Sequence, residues 1–311
     1  MKQERYLVVV VGPTAVGKTD FCVQLAKHFQ TEIISTDSRQ FFKELSIGTA
    51  KPTPQEQGGV PHHFINSHTI HEEYNAGQYE EDALRLLHQL FQGHEVVIAT
   101  GGSGLYVRAL CEGLDEMPEI LPGVREELNQ RLAQEGLPAL VQQLQELDPE
   151  YAAQVDPQNP QRVVRALEVC LSSGQPYSSF RTQNNGSTRG FRIIKIGLTR
   201  ERPELYDRIN HRVDQMLAQG LLDEVKQLLP YREHQALQTV GYTELFGYLD
   251  GFCSFEEAVR LLKRNSRRYA KRQLTWFNRD PEFQWFHPGQ FSEVVAHIQA
   301  EMEKGANEGG A

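Results

Sequence analysis

Hydrophobic positions follow two different rhythms along the chain. Near the N-terminus, Tyr6-Leu-Val-Val-Val-Val11 is continuously apolar and β-branched, the pattern of a parallel strand buried on both faces. A glycine-rich stretch follows, then helical spacing from 18 to about 29, then a second strand over 32–37 that ends on a carboxylate. Residues 95–100 form another buried strand, which runs into Gly101-Gly-Ser-Gly104 and a helix start. Strand, glycine loop and helix therefore recur, which predicts a doubly wound parallel α/β sheet with ligands collecting at the carboxyl ends of its strands. From about Pro118 the rhythm is helical and polar: 125–147 is rich in Gln and Glu with a break at Gly136 and Pro138, 156–160 is a turn, and 162–171 resumes helical spacing. Residues 178–190 read as a return linker. Strand spacing comes back at 192–198, followed by helices over 204–229 and 255–272, a short last strand at 283–286 and a frayed tail over 304–311. The predicted organisation is a core from 1–117, a helical insertion over 118–190 and completion of the core by 191–311.

Composition narrows this picture. A chain of 311 residues is long enough for one large core and a smaller lobe. No apolar run is long enough to cross a bilayer, and the first strand is too short and lacks the cleavage site of a signal peptide. Cys22, Cys111, Cys170 and Cys253 stand far apart with no C-x-x-C pair, which disfavours a zinc site or a disulfide framework and leads us to expect a reducing cytoplasm. A monomer is the expectation for assembly.

A net charge of -9 argues mildly against a nucleic-acid partner. Local charge differs: Arg260, Lys263, Arg264, Arg267, Arg268, Lys271, Arg272 and Arg279 crowd into twenty residues with no acid among them. A solvated helix face is one reading. Positions 260, 264, 268 and 272 align at i, i+4, however, and Tyr269, Trp276 and Phe277 lie among them as stacking surfaces, which points to contact with an RNA backbone.

Gly12-Pro-Thr14-Ala15-Val16-Gly17-Lys18-Thr19 matches G-x-x-x-x-G-K-[ST] between a hydrophobic strand and a helix, so the predicted sheet is of the P-loop NTPase type. Backbone amides there converge on phosphate oxygens, the helix N-terminus adds partial positive charge, Lys18 supplies a full one, and the Thr19 hydroxyl is the candidate ligand for Mg²⁺. The guanine-reading N-K-x-D motif is absent. No other hydrophobic strand ends in an acid that would complete an ordinary ATPase metal site. On these residues an ATP-dependent kinase of a small metabolite and a non-catalytic RNA-binding protein both stay open. Asp37, within Ser35-Thr-Asp-Ser-Arg-Gln40, is read as a general base or a water-mediated Mg²⁺ partner, with a helix N-cap as the structural alternative. The run at 101–104 invites close approach of a ligand to the backbone. His62 and His63 are adjacent, point to opposite faces of an extended segment and make a poor metal pair.

The blocks GPTAVGKT (12–19), STDSRQ (35–40), GTAKP (48–52), PHH (61–63), GGSGLY (101–106), NPQRVVRALE (159–168), QTVGYTE (238–244) and YAKRQLTWF (269–277) together resemble, in order, the tRNA dimethylallyltransferase family, also called isopentenyl-tRNA transferases. The resemblance implies transfer of a dimethylallyl group from dimethylallyl diphosphate to N6 of the adenosine 3′ of the anticodon, with the tRNA anticodon stem-loop as partner. The glycine loop, Gly12 to Thr19, would then cradle a diphosphate, with Thr19 on Mg²⁺ and Arg212, or else Arg208, clamping the same group. Asp37 would be the base, Ser38 and Gln40 would hold the target nucleotide, and Ser103 would line the channel where the substrates meet. Family members usually carry threonine where this chain has Ser103; the hydroxyl survives and a methyl is lost. Arg39, Arg125, Gln161, Arg162, Arg165, Arg267, Arg268, Lys271 and Arg272 are the further residues expected to contact tRNA.

Overall fold

A computed structural model describes residues 4–181 and 189–308, so most of the expected return linker and the last part of the expected tail lie outside the described residues. The elements run β1 (Tyr6–Val11), α1 (Lys18–Phe29), β2 (Ile33–Ser35), α2 (Pro54–Gln57), β3 (His62–His63), α3 (Ala76–Leu90), β4 (Val96–Gly101) and α4 (Gly104–Glu112). Four helices follow, α5 (Val124–Glu135), α6 (Leu137–Leu147), α7 (Pro149–Gln154) and α8 (Pro160–Ser173). Then come β5 (Arg192–Leu198), α9 (Arg202–Ala218), α10 (Leu221–Leu228), α11 (Tyr242–Leu249), α12 (Phe255–Phe277), β6 (Gln284–Phe286) and α13 (Phe291–Glu308). The chain divides into two units, Met1–Cys111 with Thr188–Ala311, and Glu112–Ser187. The boundaries differ from the expected 118 and 190 because the polar segment after α4 groups with the helices that follow it.

The first unit is a sheet of order β3-β2-β4-β1-β5-β6 in which every pairing is parallel. This is the doubly wound P-loop-like architecture. Alternation along β1 explains its unbroken apolar run: Leu7, Val9 and Val11 join one core, Tyr6, Val8 and Val10 the other. Tyr79, Ala83 and Leu87 of α3, at i, i+4, and Leu262 of α12 pack on the first face; Phe21 and Leu25 of α1, Ile209 of α9 and Ile298 of α13 pack on the second. Full burial of each such Val or Leu is worth about 1.5–3 kcal/mol. Among the described residues no helix is long and apolar enough to cross a membrane.

Several elements depart from the sequence expectation. The second strand stops at Ser35, so Asp37 sits in a turn two residues beyond it. The helix expected over 204–229 is two, because Gly220 adopts φ 101° and ends the first. Residues 304–308, expected to fray, continue α13, which is held by Val294, Val295 and Ile298 under the sheet. The second unit has its own core, with Leu128, Leu140, Leu144, Val163 and Leu167 facing inward from α5, α6 and α8.

Candidate active site

The loop between β1 and α1 is braced by arginines from after β5. Arg200 Nε donates to the Val16 carbonyl at 2.8 Å, Arg208 Nε to the Ala15 carbonyl at 2.8 Å, and Arg212 Nη1 to Thr14 Oγ1 at 3.5 Å. Lys18 Nζ donates to the carbonyls of Gly12 at 2.9 Å and Pro13 at 3.0 Å. Burial, then the neighbouring Arg212 charge, pull the Lys18 ammonium down to about 8. Burial, then Arg208, lower Arg212 as well. The Thr14 amide is engaged by Gln273 Oε1 at 2.9 Å and the Val16 amide by Pro13 at 3.3 Å. The amides at the start of α1, including those of Lys18 and Thr19, have no acceptors of their own within the helix and are the ones offered to an anion.

β2, β4 and β1 are neighbours, so the segments after them meet. Thr14, Ala15, Gly17, Lys18, Thr19, Asp37, Arg39, Gln40, Arg208 and Arg212 line one cavity of about 570 Å³ together with Tyr269 and Gln273 of α12. Asp37 Oδ1 accepts from the Arg39 amide at 3.0 Å, so one carboxylate oxygen caps a turn, and no helix follows it. Ser103 Oγ accepts from the Ser38 amide at 3.0 Å and bonds Ser38 Oγ at 3.1 Å, which fixes that turn against the 101–104 loop. Gln40 Nε2 donates to the carbonyls of Thr49 at 3.2 Å and Ala50 at 3.3 Å.

Gly101 and Gly102 line the cavity, and Gly102 and Gly104 also make room for α12. A Cβ on Gly102 would lie 2.1 Å from Gln273 Nε2, and one on Gly104 would lie 2.2 Å from Trp276 Nε1, so the close approach is by α12. Gln273 was not singled out in the sequence; it stands among cations on a helix, yet it is buried and ties Thr14 to the Gly102 carbonyl at 2.9 Å. Tyr269 is also inside the site, its phenol pushed up to about 12 by burial and by Asp37. Trp276 and Phe277, expected as stacking surfaces, are instead occupied: Trp276 seats on Gly104 and Phe277 is core.

Along the basic helix, Arg268, Lys271 and Arg272 are exposed. Arg267 donates to Asn210 Oδ1 at 2.5 Å and lies 5.9 Å from the Tyr206 ring, so it also joins α12 to α9. In the second unit Gln161 and Arg162 are exposed at the start of α8. Arg125 and Arg165 both donate to Glu168, whose side chain is fully buried, Arg125 through a bidentate pair and Arg165 at 3.2 Å. His62 Nδ1 meets the Val60 carbonyl at 2.8 Å and His63 Nε2 meets Glu32 at 2.5 Å, hydrogen bonds in place of a metal pair.

A phosphate cradle, a carboxylate and a polar turn around one cavity are what transfer from a phosphorylated donor requires, and comparison with known proteins specifies the kind. The family described as IPP transferase matches residues 40–280. A protein named tRNA dimethylallyltransferase from Cytophaga hutchinsonii is 53% identical over 300 residues, covering 96% of this chain and 98% of that protein. The crystal structure of the full-length tRNA isopentenylpyrophosphate transferase from Bacillus halodurans superposes with TM-score 0.74 at 38% identity over 100% of both chains. A eukaryotic dimethylallyltransferase acting on tRNA gives TM-score 0.74 at 28% identity, over 88% of this chain and 70% of that one. A family match over residues 40–280, and 53% identity over nearly the whole length of one relative, show that the chain belongs to the IPP transferase family, the tRNA dimethylallyltransferases.

Proposed function

We propose that the chain transfers a dimethylallyl group from dimethylallyl diphosphate to N6 of the adenosine 3′ of the anticodon in tRNA, releasing diphosphate. The observation that carries this reading is the single cavity onto which Lys18, Arg208, Arg212 and Asp37 all open. The allylic C–O bond breaks as negative charge grows on the diphosphate, and the amides at the start of α1, Lys18 and Arg212 stand where that charge appears. The adenine amine is a weak nucleophile because its lone pair is delocalised into the ring, and it must shed a proton as the C–N bond forms. With Asp37 Oδ1 on the Arg39 amide, the second carboxylate oxygen accepts that proton. Ser103 holds the turn that bears Asp37. To reach this site the base leaves its stack, as base-modifying enzymes require.

The residues present fit Mg²⁺. Thr19 and Asp37 line the same cavity, and no group of three or more His, Cys, Asp or Glu converges among the described residues. An ion there would be completed by diphosphate oxygens and water, the usual manner of Mg²⁺. When bound, it takes up charge on the departing diphosphate. A monomer is the proposed assembly, since Lys18, Thr19, Asp37, Arg208 and Arg212 line one cavity without a contribution from a second copy. Arg268, Lys271 and Arg272, with Gln161 and Arg162, offer exposed groups to the anticodon stem-loop. Arg125 and Arg165 act through Glu168, which they hold.

The test is incubation with dimethylallyl diphosphate and tRNA, each omitted in turn, with mass spectrometry of the digested RNA. N6-prenyl adenosine that needs both substrates is the expected product; its absence, with ATP turnover in the absence of RNA, would favour a small-molecule kinase.

A further inference from the structure

Two sequence blocks have no part in the chemistry above: GTAKP at 48–52 and QTVGYTE at 238–244. The structure brings them together. A Cβ on Gly48 would lie 2.6 Å from the Tyr242 ring, so the ring fills the space a side chain would take. Glu224 of α10 joins the two. Its Oε2 accepts from the amides of Ser46 at 3.2 Å and Ile47 at 2.7 Å; its Oε1 accepts from the amide of Gly48 at 3.0 Å and the Tyr242 hydroxyl at 2.7 Å. Three successive amides converging on one anion form a nest, here filled by the protein's own carboxylate. Burial and then the Glu224 charge push the Tyr242 phenol far above its ordinary value, so its hydroxyl stays a donor.

The constraint does not stop at the nest. The segment 46–54 is a wall of the active cavity. Its carbonyls at Thr49 and Ala50 receive Gln40 Nε2, and the Gln40 amide donates to the Asp37 carbonyl at 3.2 Å. Lys51 Nζ adds a strut, donating to the Phe42 carbonyl at 2.6 Å and to Asn66 Oδ1 at 2.5 Å. Lys51 therefore serves the wall from within. A continuous hydrogen-bonded path runs from α10 through the wall and Gln40 to the turn that bears Asp37.

We propose that Glu224 is a positioning residue for prenyl transfer: held in the nest at 46–48, it fixes the cavity wall and, through Gln40, the placement of Asp37. This rests on the tRNA prenyltransferase reading. A glutamine at 224 would turn an amide N–H toward the donors of the nest and loosen the wall, while leaving the β1–α1 loop intact.

The experiment uses the full chain as wild type, Glu224→Gln, Glu224→Asp and Tyr242→Phe, with kcat and KM for each substrate and the stoichiometry of bound dimethylallyl diphosphate. A displacement of order 1 Å at the base is expected to lower kcat per donor-binding site by about 10- to 100-fold in Glu224→Gln, with donor KM and stoichiometry unchanged. Glu224→Asp keeps the charge one methylene further back and Tyr242→Phe keeps all three amide bonds, so both lose less kcat in the same pattern. A Glu224→Gln chain with kcat within about twofold of wild type would overturn the inference. So would a loss of activity in any variant that matches its loss of donor-binding sites, since that is folding alone. A wild-type chain with no transfer would instead overturn the activity on which the inference rests.

Discussion

Cations at the cavity and cations in the helical unit meet opposite partners. Lys18, Arg208 and Arg212 donate to main-chain carbonyls and a threonine hydroxyl, whereas Arg125 and Arg165 donate to the buried carboxylate of Glu168. In the first region buried cations are collected on neutral acceptors, and burial followed by their mutual repulsion lowers the pKa values of Lys18 and Arg212. In the second the same residue types neutralise a buried acid. Residue type alone does not separate an arginine that lines a cavity from one that holds a buried acid; what decides is the acceptor it faces.

This contrast can be tested hard. The largest effect is expected at the cavity carboxylate on the turn after β2: Asp37→Ala should cut single-turnover prenyl transfer by about 10²- to 10⁴-fold while tRNA affinity in a filter-binding assay stays near wild type. Near-normal turnover would remove Asp37 from the role of base. Next in size is a pH effect. Lys18 has its ammonium held down to about 8 in the ligand-free chain, so it is charged below that pH and loses its proton above it. kcat/KM for dimethylallyl diphosphate should then fall by about tenfold per unit above pH 8, while kcat, which reports the complex in which diphosphate stabilises the ammonium, should not. A flat kcat/KM up to pH 9.5 would show the cavity charge to be compensated after all. The smallest effect belongs to the helical unit. Arg125→Ala leaves Glu168 with Arg165 and should lower protection of α5 and α8 amides against hydrogen exchange by about 1–3 kcal/mol, with little change in tRNA affinity. Weaker tRNA binding at unchanged protection would break the comparison.

How much of this could be read beforehand depended on the length of the local signal. β1, α1 and β5 fall where the apolar runs and helical spacing put them, because strands buried on both faces and a helix start after a glycine loop write themselves into consecutive residues. β3 is two histidines paired with Ile33 and Ile34, too short and too polar to carry a pattern. α3 did have a signal, a capping box of Asn75 with Gln78 ahead of Tyr79, Ala83 and Leu87. At the site, the glycine loop and Asp37 were legible from motif and position. Gln273 and Glu224 were not, and Tyr269 was read as a stacking surface for RNA: Gln273 and Glu224 bond main-chain groups 171 to 259 residues away in sequence, and nothing local distinguishes a buried Gln on a basic helix from a solvated one.

Lys18 resting on the Gly12 and Pro13 carbonyls has a consequence for selectivity. The loop's own carbonyls bind its cation, so an anion that took Lys18 would displace two acceptors. A single-charged ion such as chloride replaces neither well. A diphosphate, with several oxygens to share among the ammonium, the arginine and the helix amides, replaces both at once. On the proposed reading the loop is thus a threshold set by valence, higher for a halide than for a diphosphate.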